Sequence, residues 1–316
     1  MPTKIKLGVS SCLLGKKVRY DGGHKRDHFI TGTLGKFAGL VPVCPEAECG
    51  LGIPREAMRL ESAPDGPRLI TIRTRLDHTE RLRAWAQKRL VELGGEGLWG
   101  FIFKSGSPSC GPARVKIYSP GGKAAGTGAG LFAREFLLHF PLVPGEDEAR
   151  LSDPARRENF LERLITLKRW RDTLAMGARP QHLVDFHARH RLLILSHSHS
   201  HSRLLGKLVA RIKELPLPAV YEQYQELLLA ALRLRSTIAK NVRVLLQVMG
   251  HFKNRLGAAE KDELLEIIAD YRQGHLPLTT PLTLLNHYVR RYDLNYLKGQ
   301  HYLHPHPLEL RFRNRV

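Results

Sequence analysis

The pattern of apolar and polar positions changes near residue 145. Before that point, short apolar runs rich in β-branched residues alternate with glycine-rich turns. These runs predict strands over residues 6–10, 40–44, 69–73 and 99–103. A helical pattern over residues 76–93 separates the last two runs. Strands that alternate with helices predict βαβ units, and therefore a Rossmann-like α/β fold with a mostly parallel sheet.

The second half of the chain has a helical pattern throughout. After the acidic, proline-marked stretch 141–148, glycine becomes scarce and leucine abundant, and Asp153 followed by Pro154 is typical of the start of a helix. Helical periodicity then covers residues 155–175, 180–196, 202–214, 218–236, 238–255, 259–272 and 281–290. We therefore predict an α/β domain over residues 1–145 and an all-α domain over residues 150–316.

Composition and charge narrow the class of protein. The 316 residues are 42% hydrophobic and 25% charged, which excludes wholesale disorder. No apolar run approaches the roughly 20 residues of a membrane span, and the first ten residues do not have the pattern of a signal peptide, so we expect a cytoplasmic protein without a membrane segment. The net charge is +20, of which +12 falls after residue 150. Such a charge favours binding of a polyanionic partner. Of the two candidate polyanions, nucleic acid is favoured over an anionic membrane surface.

All four cysteines lie in the first domain. They are too few for a disulfide scaffold in a chain of this length, and the cytosol would keep them reduced. Cys12 follows the first predicted strand, Cys44 ends the second, and Cys110 closes the loop after the strand 99–103. Because ligands gather at the carboxyl ends of parallel strands, these three thiols can converge although they are far apart in the sequence.

Three thiolates at one site select zinc, copper(I) or an iron–sulfur cluster. The spacing matches neither a pair of CxxC zinc units nor a compact ferredoxin run, so it leaves the metal open. A cluster with only three protein ligands would leave one iron open to substrate, which is typical of a catalytic centre. Taken singly, each cysteine also fits the role of a small buried hydrophobic residue.

Several separated motifs resemble those of the thiouracil desulfurase family, in the same order and spacing, over about residues 5–140. These motifs are SSCLLG (10–15), RYDGG (19–23), VCPE (43–46), GLGIPR (50–55) and KSGSPSCG (104–111). Residues 183–190, 241–253 and 277–285 resemble the all-helical domain that is often fused to that family. The combined architecture resembles the tRNA 4-thiouridine desulfidases.

The resemblance implies a 4Fe–4S cluster held by Cys12, Cys44 and Cys110, with the fourth iron free to take sulfur from a thiocarbonyl. Two positions depart from the family pattern. Cys49 stands where a residue other than cysteine is usual, and it is either an alternative ligand or a bystander. Gly106 occupies a position that is commonly basic, which affects how the phosphate or ribose of a substrate is held.

Desulfuration requires a proton acceptor for water and a proton donor for the ring nitrogen. Glu46 lies two residues after Cys44, and the intervening proline stiffens its direction, so it is the candidate general base or acid. Ser105 and Ser107, together with Ser109, are candidates for positioning water or the pyrimidine edge; the alternative is that they cap turns or bind cluster sulfurs. Asp21 is either a turn former or a site contact.

Other motifs receive less specific interpretations. The glycine-rich stretch 121–130 fits no phosphate-loop pattern and predicts a flexible loop. His197, His199 and His201 are interpreted as a polar junction between helices. Basic residues of the helical domain are candidates for binding RNA phosphates, with interspersed tyrosines either stacking on bases or lying in the core. The basic residues are Lys168, Arg169, Arg171, Arg233, Arg235, Lys240, Arg243, Lys253, Arg255, Arg290 and Arg291, and the tyrosines are Tyr221, Tyr224, Tyr288 and Tyr292.

The function predicted from the sequence is therefore iron–sulfur-dependent conversion of 4-thiouridine in tRNA to uridine. Two alternatives remain. One is a desulfurase of free 2-thiouracil or a small thionucleotide, with the helical domain serving assembly. The other is a non-catalytic RNA-binding protein with structural zinc.

Overall fold

The computed structural model describes residues 5–305. The chain divides into two compact units, residues 1–153 and 154–316. Among the described residues, none of the helices is both long and apolar enough to cross a membrane.

The first unit contains two four-stranded sheets. The strands are β1 (Ile5–Ser10), β2 (Ala38–Val43), β3 (Met58–Glu61), β4 (Arg68–Thr71), β5 (Gly100–Phe103), β6 (Val115–Tyr118), β7 (Ala124–Gly128) and β8 (Gly145–Asp147). One sheet has the order β2-β1-β5-β8, and all of its pairs are parallel. The second has the order β4-β3-β6-β7 and is mixed. The three strands that precede Cys12, Cys44 and Cys110 are thus neighbours in the parallel sheet.

The centre of the parallel sheet is buried, because β5 and the second half of β1 are enclosed on both faces. Every residue of β5 is buried, and Phe101 and Phe103 pack against Phe132 and Phe136. Gly8 in β1 permits this packing, since a Cβ there would lie 2.3 Å from the Phe101 ring. The helices of this unit are α1 (Pro45–Glu48), α2 (Thr79–Glu96) and α3 (Leu131–His139). The core leucines of α2 recur at helical spacing and join the same core.

The second unit is helical in its described part, as predicted. Its helices are α4 (Pro154–Ala175), α5 (Pro180–His197), α6 (His199–Ala210), α7 (Leu217–Arg233), α8 (Ile238–Gly250), α9 (Ala258–Gln273), α10 (Thr279–Arg291) and α11 (Asn295–Lys298). One core surrounds Trp170 and Tyr224, and a second surrounds Phe252, Tyr288 and Tyr302. The predicted fold class, an α/β domain followed by an all-α domain, is confirmed.

Some local features of the first unit differ from what the sequence pattern indicates. The predicted strand 69–73 is β4, which belongs to the mixed sheet and not to the parallel one. The glycine-rich stretch 121–130 is not a flexible loop, because its residues 124–128 form β7, paired antiparallel with β6. The acidic stretch 141–148, for which the sequence pattern predicted no strand, carries the edge strand β8, paired parallel with β5.

Candidate active site

A cavity of about 460 Å³ lies at the carboxyl ends of β1, β2 and β5. Cys12, Cys44 and Cys110 all line this cavity, and so do the predicted site residues Glu46, Ser105 and Ser107. Cys49 is not among the lining residues. The topology of the sheet explains this convergence, because the three strand ends lie side by side.

Cys12 lies in a short 3₁₀ turn, Ser11–Leu14, that begins where β1 ends. The turn closes at Gly15, whose φ of +89° is the left-handed conformation that glycine adopts readily. The backbone carbonyl of Cys12 accepts hydrogen bonds from the N–H groups of Gly15 and Lys25, at 3.3 and 3.0 Å. These bonds fix the buried Cys12 at the wall of the cavity.

Cys44 and Cys49 lie at opposite ends of α1. Cys44 is the N-cap residue, and its backbone N–H donates to Glu48 Oε1 at 2.7 Å. The Cys44 Sγ is 3.9 Å from the carbonyl oxygen of Val18. At the other end, the Cys49 thiol donates to the carbonyl of Glu46 at 3.3 Å. The helix therefore separates the two thiols, and only Cys44 reaches the cavity.

Cys110 closes the loop that follows β5. Its backbone N–H donates to Ser107 Oγ at 3.1 Å, and the Ser107 and Ser109 hydroxyls are 3.1 Å apart. Gly106 adopts a φ of +67°, so a basic side chain at this position would strain the backbone as it stands here. The conformation of the loop is thus stabilised by hydrogen bonds of Ser107 and Ser109, and it includes a left-handed residue, Gly106, for which glycine is favoured.

Burial raises the pKa of the thiols at the cavity. For Cys12 the pKa rises to about 11, chiefly because the thiol is removed from water and secondly because of the neighbouring Cys44. The pKa of Cys110 is raised well above the usual value by burial and then by the charge on Cys44. Burial also raises the pKa of Cys44. The charge of Cys44 therefore adds to the effect of burial on the pKa of both Cys12 and Cys110.

The chemistry of these donors fits an iron–sulfur cluster. Three soft sulfur donors surround one cavity, and they come from three separate loops. Within the described residues, no three His, Cys, Asp or Glu side chains are grouped as ligands of a single metal ion.

Glu46 is held on both of its carboxylate oxygens. Arg55 donates from Nε to Glu46 Oε2 at 2.9 Å and also from Nη2, while the Ser109 hydroxyl donates to Oε1 at 2.6 Å. Arg55 further donates to the carbonyls of Val18 and Gly52, at 3.0 and 3.3 Å. One guanidinium group therefore positions Glu46 and joins three segments of the cavity wall. Arg55 lies within the motif GLGIPR, but the motif alone does not indicate this role.

Ser105 is hydrogen-bonded to Glu148, for which the sequence predicts no role. Its hydroxyl and its backbone N–H both donate to Glu148, each at 2.7 Å, and Lys104 forms an ion pair with the same carboxylate. Glu148 follows β8 directly, so the pairing of β8 with β5 brings it to the loop that carries Cys110. No local motif in the sequence marks this residue.

Asp21 forms a turn with its own neighbours. Its carboxylate accepts from the Gly23 N–H at 2.9 Å and pairs with Arg19. These interactions, the backbone bond above all, lower the pKa of Asp21. Asp21 is not among the residues that line the cavity.

In the second unit, several candidate polar residues are buried. His197 lies in the core, with Nε2 3.1 Å from Glu162 Oε2 and Nδ1 2.6 Å from the carbonyl of Leu234, so it joins three segments of this unit. Tyr221, Tyr224 and Tyr288 are core residues and not exposed stacking platforms. The exposed basic residues of the predicted RNA-binding set are Arg233, Arg235, Arg243, Lys253, Arg255, Arg290 and Arg291.

Comparison with known proteins agrees with this architecture. The model of the 2-thiouracil desulfurase family matches residues 7–148, and that of a protein family of unknown function, DUF1722, matches residues 191–307. The chain therefore belongs to the 2-thiouracil desulfurase family, and its desulfurase domain is followed by a DUF1722 region. The resemblance of the motifs to the thiouracil desulfurase family is confirmed.

Individual relatives cover parts of the chain. The uncharacterized protein YbgA of Escherichia coli (strain K12) is 32% identical over 42% of this chain and 79% of its own length. The uncharacterized protein YbbK of Bacillus subtilis (strain 168) is 31% identical over 40% of this chain and 85% of its own length. A solved structure of the [4Fe-4S]-dependent thiouracil desulfidase TudS is 30% identical, with a TM-score of 0.39, and covers 47% of this chain and 94% of that one.

Proposed function

We propose that this protein is a desulfidase that replaces the sulfur of a thiolated pyrimidine in tRNA, 4-thiouridine, by oxygen. The observation that carries the proposal is the convergence of Cys12, Cys44 and Cys110 on one cavity beside Glu46. Membership of the 2-thiouracil desulfurase family supports the class of reaction. In that reaction water adds to the carbon, the C–S bond breaks, and sulfide leaves with no net oxidation or reduction.

Cys12, Cys44 and Cys110 are the residues that would hold a 4Fe–4S cluster. When bound by three thiolates, such a cluster supplies an iron with an open position, which acts as a Lewis acid toward the sulfur of a thiocarbonyl. Cys49 lies away from the cavity and bonds to the backbone of α1, which supports its assignment as a bystander.

Glu46 is the proposed proton acceptor for water, and the donor of a proton to the pyrimidine. Its carboxylate lines the same cavity as the three thiols and is fixed by Arg55 and Ser109. A fixed carboxylate needs little rearrangement before proton transfer, which favours general acid–base catalysis. The Ser105 and Ser107 hydroxyls line the cavity too. In the structure they bind Glu148 and the Cys110 backbone, so we assign them to positioning the loop, with water or the pyrimidine edge as their further candidate partners.

The assignment of tRNA as substrate is supported by the charge of the second half of the chain. Residues 151–316 carry +12 of the +20, and seven exposed Arg and Lys residues on its helices and loops can bind phosphates. Free 2-thiouracil is the second candidate, favoured by the name of the matching family.

One experiment separates these functions. The anaerobically reconstituted protein is incubated in parallel with 4-thiouridine-containing tRNA and with free 2-thiouracil, and released sulfide and the uridine or uracil product are quantified. We expect sulfide and uridine from the tRNA at a higher kcat/KM than from the free base. Turnover of the free base alone would reject tRNA as substrate. Turnover of neither, with bound zinc and no iron, would reject the desulfidase and leave the zinc-containing RNA-binding protein as the remaining alternative.

A further inference from the structure

Two histidines of the second unit lie against each other and take no part in the proposed reaction. His190 is on α5 and His301 is in the turn after α11, and the centres of their rings are 4.4 Å apart. The backbone N–H of His301 donates to the carbonyl of Arg189 at 3.0 Å. The Gln300 side chain donates to the carbonyl of Ala188 at 2.6 Å. These bonds fasten the turn to α5, so the contact between the two rings is set by the fold.

One ring nitrogen of His190 has no partner. The other nitrogen, Nδ1, lies 2.8 Å from the carbonyl oxygen of Phe186, and since a carbonyl only accepts, Nδ1 carries the proton. In the neutral ring Nε2 is therefore an acceptor. It has no hydrogen-bond partner within the part of the chain that the structure describes, although His190 is only 1% exposed. A second proton on this ring would turn Nε2 into a buried donor, which requires an acceptor beside it.

The charged groups around the pair are basic. His301 is half-buried, and its pKa is lowered to about 4 by burial first and then by the charges of Arg169 and Arg189. Burial, and then the charges of His301 and Arg169, hold the pKa of His190 well below its usual value. Both rings are therefore neutral at neutral pH. The groups that shift these two pKa values most include no carboxylate.

The neighbouring titratable groups add no negative charge. They are His187 and Arg191 on α5, Tyr224 on α7, Arg290 on α10 and His304 in the turn. Burial and then Arg191 lower the pKa of His187, and burial and then Arg290 lower the pKa of His304. The charged side chains of this region would attract an anion and repel a metal cation. The ligand that this arrangement favours is therefore an anion.

We propose that Arg169, Arg189 and His301, with His190 behind them, form a binding site for a phosphate-type oxyanion, and that binding is coupled to uptake of a proton by the two histidines. Arg189 is exposed, whereas Arg169 and His301 are half-buried. Guanidinium groups donate to the oxygens of such anions in a planar, paired geometry. The proton adds to Nε2 of His190 or to the ring of His301, and the charge of the anion balances it. A small phosphate-bearing molecule and the phosphodiester of RNA share this chemistry.

Calorimetric titration of the holoenzyme with sulfate tests the site, because sulfate does not itself titrate near neutral pH. At constant ionic strength, the Kd for sulfate should fall at least about threefold between about pH 7.5 and about pH 6, since binding that takes up a proton strengthens as the pH falls. Repeating the titration in two buffers of different ionisation enthalpy measures the proton uptake directly. His301→Gln should weaken the pH dependence, and His199→Gln, at an exposed position, is its control and should keep it.

Arg189→Gln should raise the Kd for sulfate roughly tenfold, which is the usual effect of losing one charged hydrogen bond. Arg191→Gln is the matched control, because it removes the same charge from an exposed residue of α5 whose charge acts on His187. Equal effects of the two arginine variants would overturn the site. A Kd that does not change with pH in the wild-type protein, without proton uptake, would overturn the coupling.

Unmodified tRNA distinguishes the two sources of phosphate. If Arg189→Gln weakens the binding of tRNA more than Arg191→Gln does, in fluorescence anisotropy at constant ionic strength, the site binds the RNA backbone. Equal affinities of these two variants for tRNA, with different affinities for sulfate, would assign the site to a small phosphate-bearing molecule. Neither measurement uses turnover, so failure of this site is distinguishable from failure of the proposed function.

Discussion

The Ser109 hydroxyl donates a 2.6 Å hydrogen bond to the Glu46 carboxylate. This bond joins the loop that carries Cys110 to the short helix α1 that follows Cys44. The segments that carry two of the three thiols are therefore directly hydrogen-bonded to each other. Ser109 is 1% exposed, and its bond to Glu46 is partly buried at the wall of the cavity. The candidate acid–base group and the candidate cluster ligands are therefore parts of one structural unit.

Ser109→Ala should slow turnover by about tenfold without removing the cluster. The substitution deletes one hydrogen bond to a carboxylate, which is worth about 1.5–3 kcal/mol, while Arg55 still holds the other oxygen. The measurement is single-turnover desulfuration together with iron content. Ser62→Ala, at an exposed position, is the control. Normal turnover of Ser109→Ala would show that the bond does not position Glu46 for the reaction.

Alanine at Cys12, Cys44 or Cys110 should abolish cluster binding and activity. Alanine at Cys49 should retain both, because that thiol bonds to the carbonyl of Glu46 and lies outside the cavity. Iron and acid-labile sulfide in the four anaerobically purified variants check this expectation. A full complement of iron in Cys44→Ala would show that a residue other than Cys44 is the third ligand.

Glu148→Gln should destabilise the conformation of the loop that follows β5. The amide keeps the shape of the side chain but loses the ion pair with Lys104 and one of the acceptors for Ser105. We expect a lower occupancy of iron after reconstitution and a kcat reduced more than the KM is raised, since the loop carries Cys110. Glu135→Gln on α3 is the control for removal of one charge. Unchanged iron occupancy and kcat would mean that the loop holds its shape without Glu148.

The convergence of the three thiols could be anticipated from the sequence because each follows a strand, and strand ends of a parallel sheet share one edge. Glu148 could not be anticipated, because its position depends on the pairing of β8 with β5, and β8 is a three-residue strand with two acidic residues. The strand β7 escaped prediction for a related reason: its sequence AAGTG has no apolar alternation, and most of it is exposed. The position of Glu148 and the formation of β7 thus depend on strand pairing between distant parts of the chain, which local sequence patterns do not reveal.

Binding of tRNA should weaken steeply with salt. If several exposed cations of the second unit contact phosphates, each displaces counterions, and the logarithm of the affinity falls linearly with the logarithm of the salt concentration. Fluorescence anisotropy of labelled tRNA at several salt concentrations measures the slope. The KM for uncharged 2-thiouracil over the same range is the internal control and should change little. If the affinity for tRNA were equally independent of the salt concentration, contacts to phosphates would not contribute to tRNA binding.

Acid should destabilise the helical unit through His187. This partly buried side chain lies on α5, with Nδ1 3.1 Å from the Tyr224 hydroxyl. Burial, and secondly the charge of Arg191, lower its pKa from 6.5 to about 4. Between these two values the unfolded chain binds more protons than the folded one. The stabilisation is therefore complete above about pH 6.5 and is lost as the pH falls toward 4, with a total on the order of 3 kcal/mol.

His187→Gln removes this titration and should reduce the loss of stability between about pH 7 and about pH 4.5. Urea unfolding followed by fluorescence of Trp170, in a background with Trp85 and Trp99 replaced by phenylalanine, reports on the helical unit, because Trp170 packs against Phe186 and Tyr224 in the core that includes α5. His199→Gln, at an exposed position on the next helix, is the matched control and should keep the full pH dependence. Parallel losses in the two variants would assign the acid sensitivity to other groups, because His187 would then make no difference to the number of protons taken up on unfolding.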